Sequence, residues 1–270
     1  MGKSGNQVGV TPEQAMVHAF QPRPLPANLQ ALSELALDLH WTWSHGSDRL
    51  WQALDRASWE VTANPPVILE SVSEERLADL SRDHAFVDEV RRAVWERAEY
   101  LADPGWYGRT YPNEQVTAAY FSMEFGLGEA LGLYAGGLGV LAGDFLKASS
   151  DLAIPVIGVG LLYQQGYFRQ VIDEGGNQLE AFPYNDPITM PIFPVRDRAG
   201  AWLCVPVDLP GRSVLLRLWQ ANVGRTRCFL LDTNHPLNSP GDRGIASQLY
   251  DAVPERRLLQ EIVLGIGGWR

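Results

Sequence analysis

The sequence predicts a mixed α/β fold with a helical region in front, and three observations carry that prediction. Up to about residue 112, apolar side chains recur at three- and four-residue steps, the spacing of amphipathic helices. Beyond Pro112, short apolar runs bounded by Gly, Asp and Asn take over, as strands require. Between two of those runs lies Tyr134-Ala135-Gly136-Gly137-Leu138-Gly139-Val140-Leu141-Ala142-Gly143-Asp144, a glycine-rich turn feeding a helical pattern. Strand, turn, helix and strand then form one α/β unit.

In chain order, residues 1–20 read as a flexible tail, and Pro22, Pro24 and Pro26 stiffen the approach to a helix with Asn28 as its N-cap. Leu29, Leu32, Leu35, Ala36, Leu39 and Trp43 give that helix one apolar face. Ser71-Val72-Ser73-Glu74 reads as a capping box ahead of Leu77 and Leu80. Phe86, Val90, Val94 and Ala98 mark a further helix that Asp103-Pro104-Gly105 ends. A helical domain over 21–112 follows.

Val116 to Phe121 reads as a buried strand, and the helix after the glycines runs to about Leu152. From Gly166 onward the chain predicts a β-rich insertion, with runs at Tyr167–Ile172, Met190–Val195, Trp202–Asp208, Val214–Ala221 and Thr226–Leu231. Asp173-Glu174-Gly175-Gly176-Asn177 and Asp197-Arg198-Ala199-Gly200 carry hairpin-turn chemistry. Helices return at Asp242–Tyr250 and Pro254–Leu264.

Composition narrows the partners. The formal charge of −10 repels phosphate backbones, so nucleic acid is not expected to bind. No run reaches the ~20 apolar residues of a membrane span, and Met1-Gly2-Lys3-Ser4-Gly5-Asn6 lacks an apolar signal region, so a soluble, cytoplasmic protein is expected. Cys204 and Cys228 lie singly in β-like runs, with neither metal spacing nor a disulfide framework, and read as buried thiols. The five histidines show no metal spacing and no nucleophile motif.

Gly137-Leu138-Gly139-Val140-Leu141-Ala142 matches the G-x-G-x-x-G/A dinucleotide pattern, yet no strand abuts it and no acid stands near position 159 to hold a ribose. The turn serves either backbone geometry or a ligand that approaches bare glycine N–H groups. Asp144 complements the helix dipole or contacts a ligand. Glu124, in an otherwise apolar run, needs a buried partner, and an ion pair is the plain expectation. Trp41, Trp43, Trp51 and Trp59 suit sugar stacking or, more simply, core packing.

Several of these segments resemble the α-glucan (glycogen/starch) phosphorylases, in the shorter bacterial and archaeal branch of that family. The likeness runs from about Leu25 to Arg270 and is most specific from Gly136 to Asp151. It continues through Gly158-Val159-Gly160-Leu161-Leu162-Tyr163, Gln165-Gly166-Tyr167-Phe168, Leu230-Leu231-Asp232-Thr233-Asn234 and Gln260-Glu261-Ile262-Val263-Leu264-Gly265. Leu39-His40-Trp41-Thr42-Trp43-Ser44 and Ala63-Asn64-Pro65-Pro66 look like the helical domain that precedes the core in that branch. Phe145 stands where the branch usually carries His, and Ala135 where it often has Ser or Asn.

The resemblance implies a Rossmann-like, GT-B type glycosyltransferase domain, of which 113–270 would be the incomplete N-terminal half. It implies phosphorolysis of α-1,4-glucan by inorganic phosphate, with pyridoxal 5′-phosphate as cofactor and a homo-oligomer as a candidate assembly. Gly136, Gly137, Leu138 and Asp144 would face substrate, and Glu124 the cofactor. The cofactor lysine would lie in a C-terminal half absent from this sequence, so no catalytic residue is expected here and the chain alone should be inactive. The rival expectation is a non-catalytic glucan-binding or regulatory module with the same fold.

Overall fold

The structure is a computed structural model that describes residues 23–114 and 116–270. The expected tail over 1–20 lies outside the described residues. Among the described residues eight helices come first: α1 Ala31–Ala36, α2 Trp41–Ser44, α3 Asp48–Leu54, α4 Arg56–Thr62, α5 Pro65–Ser71, α6 Glu74–Arg82, α7 His84–Ala102 and α8 Gly105–Thr110. Leu29, Leu32, Leu35 and Ala36 are buried and share a core with Leu50, Trp51, Ile68, Phe86 and Val90, but the expected single helix breaks after Ala36, and Leu39 and Trp43 pack against the core of the sheet instead. Asn28 does not cap a helix. It sits inside a 3-10 turn, Ala27–Leu29, and its amide donates to the Ser81 carbonyl at 2.8 Å, so a tertiary contact displaces the local one. Ser73, not Ser71, caps α6 by accepting from Arg76 N–H at 3.1 Å. Asp55, Asn64 and Asp83 cap α4, α5 and α7 in the same manner.

The strands are β1 Ala118–Phe121, β2 Val156–Leu161, β3 Arg169–Ile172, β4 Gln178–Ala181, β5 Phe193–Pro194, β6 Cys204–Leu209, β7 Arg212–Val223 and β8 Thr226–Asp232. The main sheet runs β1-β2-β8-β7-β5, with β6 also on β7. β1, β2 and β8 are parallel, whereas β7 is antiparallel to β5, β6 and β8. β5 to β8 thus extend the sheet that β1 and β2 begin and are no separate insertion. Strand runs in a sequence do not show which sheet they join. Among the described residues only the β3–β4 hairpin stands apart, turned at Asp173, whose carboxylate accepts the Asn177 amide at 2.8 Å.

Helix α9, Gly137–Leu152, connects β1 to β2. It presses Ala142, Leu146, Ser149 and Ser150 inward and leaves Leu138, Leu141, Phe145 and Leu152 exposed. β1 is an edge strand with one free side, and Phe121 is 37% exposed, so the expected buried strand is instead an open margin. The chain continues through α10, Pro240–Arg243, and α11, Pro254–Ile262, into a π-helical turn, Val263–Gly267. Val263 and Leu264 are buried there while Ile266 and Trp269 are exposed.

The helical region is bolted to the sheet. Asp38, buried, accepts from Arg97 Nε at 2.7 Å, from the His40 amide at 3.1 Å and from the Gly224 amide at 2.9 Å. His40 stacks on Tyr100, whose hydroxyl reaches Ser150 and Asp151 on α9. Burial lowers the pKa of His40 and raises that of Tyr100 to about 12.

Candidate functional site

β1 leads past Ser122 to Glu124, which is 2% exposed. A buried carboxylate must be satisfied, and here the partners are not cations. One oxygen accepts the amides of Ala135 at 2.8 Å and Gly136 at 3.3 Å, and the other accepts the Tyr250 hydroxyl. The expected ion pair is therefore replaced by backbone amides and a phenol. Glu124 fixes the turn from beneath, and its hydrogen bond, ahead of burial, raises the pKa of Tyr250. Tyr163 donates to the Met123 carbonyl at 3.0 Å and braces the same loop.

The glycines of the turn divide into two kinds. At Gly143 an added Cβ would overlap the Gly126 carbonyl, and at Gly139 it would overlap the Cβ of Tyr134. These two let the helix lie directly on the 124–126 loop, where the Gly126 amide donates to the Gly139 carbonyl at 2.7 Å. Gly136 and Gly137 are different: nothing lies within 4 Å of a Cβ built on either, and neither has a positive φ. Neither packing nor backbone strain asks for glycine there, which leaves the approach of a ligand as the remaining reading of Gly137.

Gly136 is the N-cap of α9 and offers no side-chain cap. The amides of Gly137 and Leu138, in the first helical turn, have no acceptor within the helix. With the dipole behind them they suit an anionic or hydroxyl oxygen. The Gly136 amide is already committed to Glu124.

Asp144 is exposed and is the eighth residue of α9, on the same face as Gly137 but about 10 Å along the axis. Dipole complementation fades within the first turn, so that reading fails by position. Phe145 stacks on Tyr120 at 5.1 Å, where a polar side chain would lose the contact. Lys147, half-buried, has its pKa lowered by that burial and lies 5.9 Å from the Trp43 ring centroid.

The fit to pyridoxal phosphate divides accordingly. Uncapped amides over open space suit a phosphate, but Lys147, the one lysine among the described residues, sits about 15 Å down the helix from Gly137 and cannot hold an aldehyde at the turn.

The tryptophans are structural in what they touch. Trp51 is fully buried, Trp41 packs edge-on against Trp59, and the Trp43 indole donates to Asp151 at 3.2 Å. Cys228 is buried and Cys204 half-buried, on different strands. Among the described residues no cluster of His, Cys, Asp or Glu could hold a metal, and no helix is long and apolar enough to cross a membrane. The glycine packing at Gly126, Gly139 and Gly143 escaped sequence reasoning. Its signal was a glycine at each crossing point of a helix and a loop.

Comparison with known proteins adds relatives. A family described as carbohydrate phosphorylase matches residues 124–185, and one described as a protein of unknown function (DUF3417) matches 25–131. The chain is similar to maltodextrin phosphorylase of Thermococcus litoralis, 42% identical over 91% of this chain and 30% of that one. It is similar to glycogen phosphorylases of Mycobacterium tuberculosis, 40% identical over 91% of this chain and 29% of that one, and of Aquifex aeolicus, 38% identical over 88% and 34%. The chain spans about a third of the length of these relatives.

Proposed function

The chain belongs to the α-glucan phosphorylase family, as the N-terminal part of its members' sequences, and from that premise we propose that it supplies one wall of a glucan phosphorylase active site. The reaction is phosphorolysis of an α-1,4-glucan to glucose 1-phosphate. Its fold reads as part of a Rossmann-like GT-B domain, supported by the parallel β1-β2-β8 arrangement with α9 across it.

In this reading the Gly137 and Leu138 amides bind an oxygen of the glucosyl unit or of a phosphate. Glu124 holds them in place without touching the reacting atoms, and Tyr250 orients Glu124. Fixed amides aimed at developing charge stabilise it without reorganising. Asp144 stays outside this wall. Pyridoxal phosphate, when bound, supplies the phosphate that serves as proton donor, and its attachment lysine comes from outside this chain.

The observation that carries the proposal is the open space over Gly136 and Gly137, two glycines that nothing in the fold requires. The test joins this chain to the remaining two thirds of the Thermococcus litoralis relative and measures glucose 1-phosphate from maltodextrin. Gly137→Ala keeps the amide donor but puts a methyl into the space a ligand would occupy, and should depress turnover by about 10²-fold, the scale of a misplaced reactant. An unchanged rate would refute the role of the turn.

A further inference from the structure

A cavity of about 80 Å³ opens where the helical region meets the sheet, and no residue of the glycine turn lines it. Its walls are Leu25, Leu37 just behind α1, Leu69 on α5, and Ile188, Met190 and Ile192 from the stretch that leads into β5. Leu69, Met190 and Ile192 are buried. The two sides are tied together by the Asn64 amide at the cap of α5, which donates to the Thr189 carbonyl at 3.0 Å. On the scale where an engineered cavity of about 150 Å³ holds benzene, this space takes a branched chain of about three or four carbons. A sugar ring or a nucleotide base is too large for it.

Two charged side chains also line the cavity, Arg23 and Glu70. Arg23 is half-buried, and its Nη1 donates to the carbonyls of Leu69 at 3.2 Å and Val72 at 2.6 Å. Carbonyls at the end of a helix lack donors within it, so they anchor the guanidinium there. Nε and Nη2 have no acceptor among the described residues. Glu70 follows directly on Leu69, so its exposed side chain starts from the same end of α5. Its carboxylate has no partner among the described residues either, and the two charges do not pair with each other.

This combination selects a ligand. A hydrocarbon would fill the cavity but gain nothing from the charges beside it. A simple carboxylate would gain Arg23 and face Glu70, and a simple amine would gain Glu70 and face Arg23. A zwitterion with a short branched tail suits every group at once. The guanidinium fork binds its carboxylate, Glu70 accepts from its ammonium, and the aliphatic walls cover the tail.

We propose that this cavity binds a free α-amino acid with a branched aliphatic side chain, of the leucine, isoleucine or valine type. The side chain fills the cavity, the α-carboxylate lies on Arg23 and the α-ammonium on Glu70. Bound there, the ligand bridges α5 and the stretch before β5, and so ties the helical region more firmly to the sheet. The inference uses no part of the glycine turn and holds whatever reaction the chain serves.

The intact chain is titrated with L-leucine by calorimetry, and its melting temperature is followed in parallel. Saturable binding and a rise in melting temperature are expected. Isocaproate lacks the ammonium, isoamylamine lacks the carboxylate and glycine lacks the side chain. Each should bind at least about tenfold more weakly than leucine. Glu70→Gln alters an exposed side chain, should leave the ligand-free melting temperature unchanged, and should weaken leucine about tenfold. Arg23→Gln should weaken it as much, while its ligand-free melting temperature records separately the loss of the two carbonyl bonds. Glu99→Gln, which neutralises an exposed carboxylate on α7, should leave binding unaltered. Failure of leucine to saturate, binding of glycine, isocaproate or isoamylamine as tight as that of leucine, or indifference to Glu70→Gln would each overturn the proposal.

Discussion

Glu124 and Tyr250 meet through one hydrogen bond across 126 residues of sequence, and the glycine turn hangs on the other oxygen of the same carboxylate. The turn is thus positioned by a residue from the far end of the chain. Tyr250 itself has a φ of 56°, a left-handed backbone that the surrounding fold must enforce.

Tyr250→Phe leaves a buried carboxylate oxygen without its donor. Stability should fall by about 1–3 kcal/mol, the cost of an unsatisfied buried acceptor. Urea unfolding measures it, and a loss below a few tenths would show that water replaces the phenol.

Glycine substitutions should sort by what surrounds them. Gly143→Ala forces a methyl into the Gly126 carbonyl and should cost about 1–3 kcal/mol or more, as overpacking does. Gly137→Ala enters open space at a helical position and should raise stability by roughly 0.5–1 kcal/mol while it harms catalysis in the joined protein. Melting curves of the two variants side by side give the comparison. Equal destabilisation would mean that the space over Gly137 is not open.

Arg217 and Asp232 form a buried pair at 2.6 Å, and the Trp219 indole donates to the same carboxylate oxygen at 3.1 Å. Asp232→Ala strands the guanidinium and should cost about 3–5 kcal/mol. Replacement by Asn, which still accepts from the indole, should be milder. Chemical denaturation of both variants checks the order.

The pH dependence lies on the alkaline side. A hydrogen bond from Tyr134 to Glu129, followed by burial, lifts the Tyr134 pKa to about 12, and burial first lifts Tyr100 to about 12. A phenol whose folded pKa exceeds its unfolded value adds stability that is whole below the ordinary tyrosine pKa of about 10. That stability drains as pH rises toward about 12. Denaturation midpoints should fall through this window, and Tyr134→Phe and Tyr100→Phe should flatten the fall.

The outward stripe of α9, Leu138, Leu141, Phe145 and Leu152, lies near the free edge of β1. Contiguous apolar surface of this kind drives association. Sedimentation of the chain alone should show concentration-dependent self-association, and Leu141→Glu should suppress it. A monomer that binds no hydrophobic dye would contradict this expectation.

Local patterns in the sequence identified what local forces decide. The long run of α7 and the glycine-to-helix passage of α9 follow from residue spacing, and the structure places both within two residues of expectation. Contacts between distant residues were illegible. Nothing near Glu124 announces Tyr250, and nothing near Asn28 announces the Ser81 carbonyl that draws its amide away. The apolar run of β1 looks like a buried strand because composition cannot tell a covered edge from an open one. Burial at the π-helical turn was equally illegible, since its apolar run does not show that Val263 and Leu264 fold onto the sheet while Ile266 and Trp269 stay exposed.

The bond between Asp38 and the Gly224 amide also has a temporal side, since its two ends are 186 residues apart. During synthesis at about 5–20 residues per second, the carboxylate waits roughly 10–40 seconds for its partner to emerge. Until then Asp38 has only Arg97 and its own neighbouring amide, and the first helices remain a provisional assembly. A ribosome paused before residue 224 would present helices that look formed but resist proteases poorly. Resistance should rise sharply once the β7–β8 hairpin clears the exit tunnel.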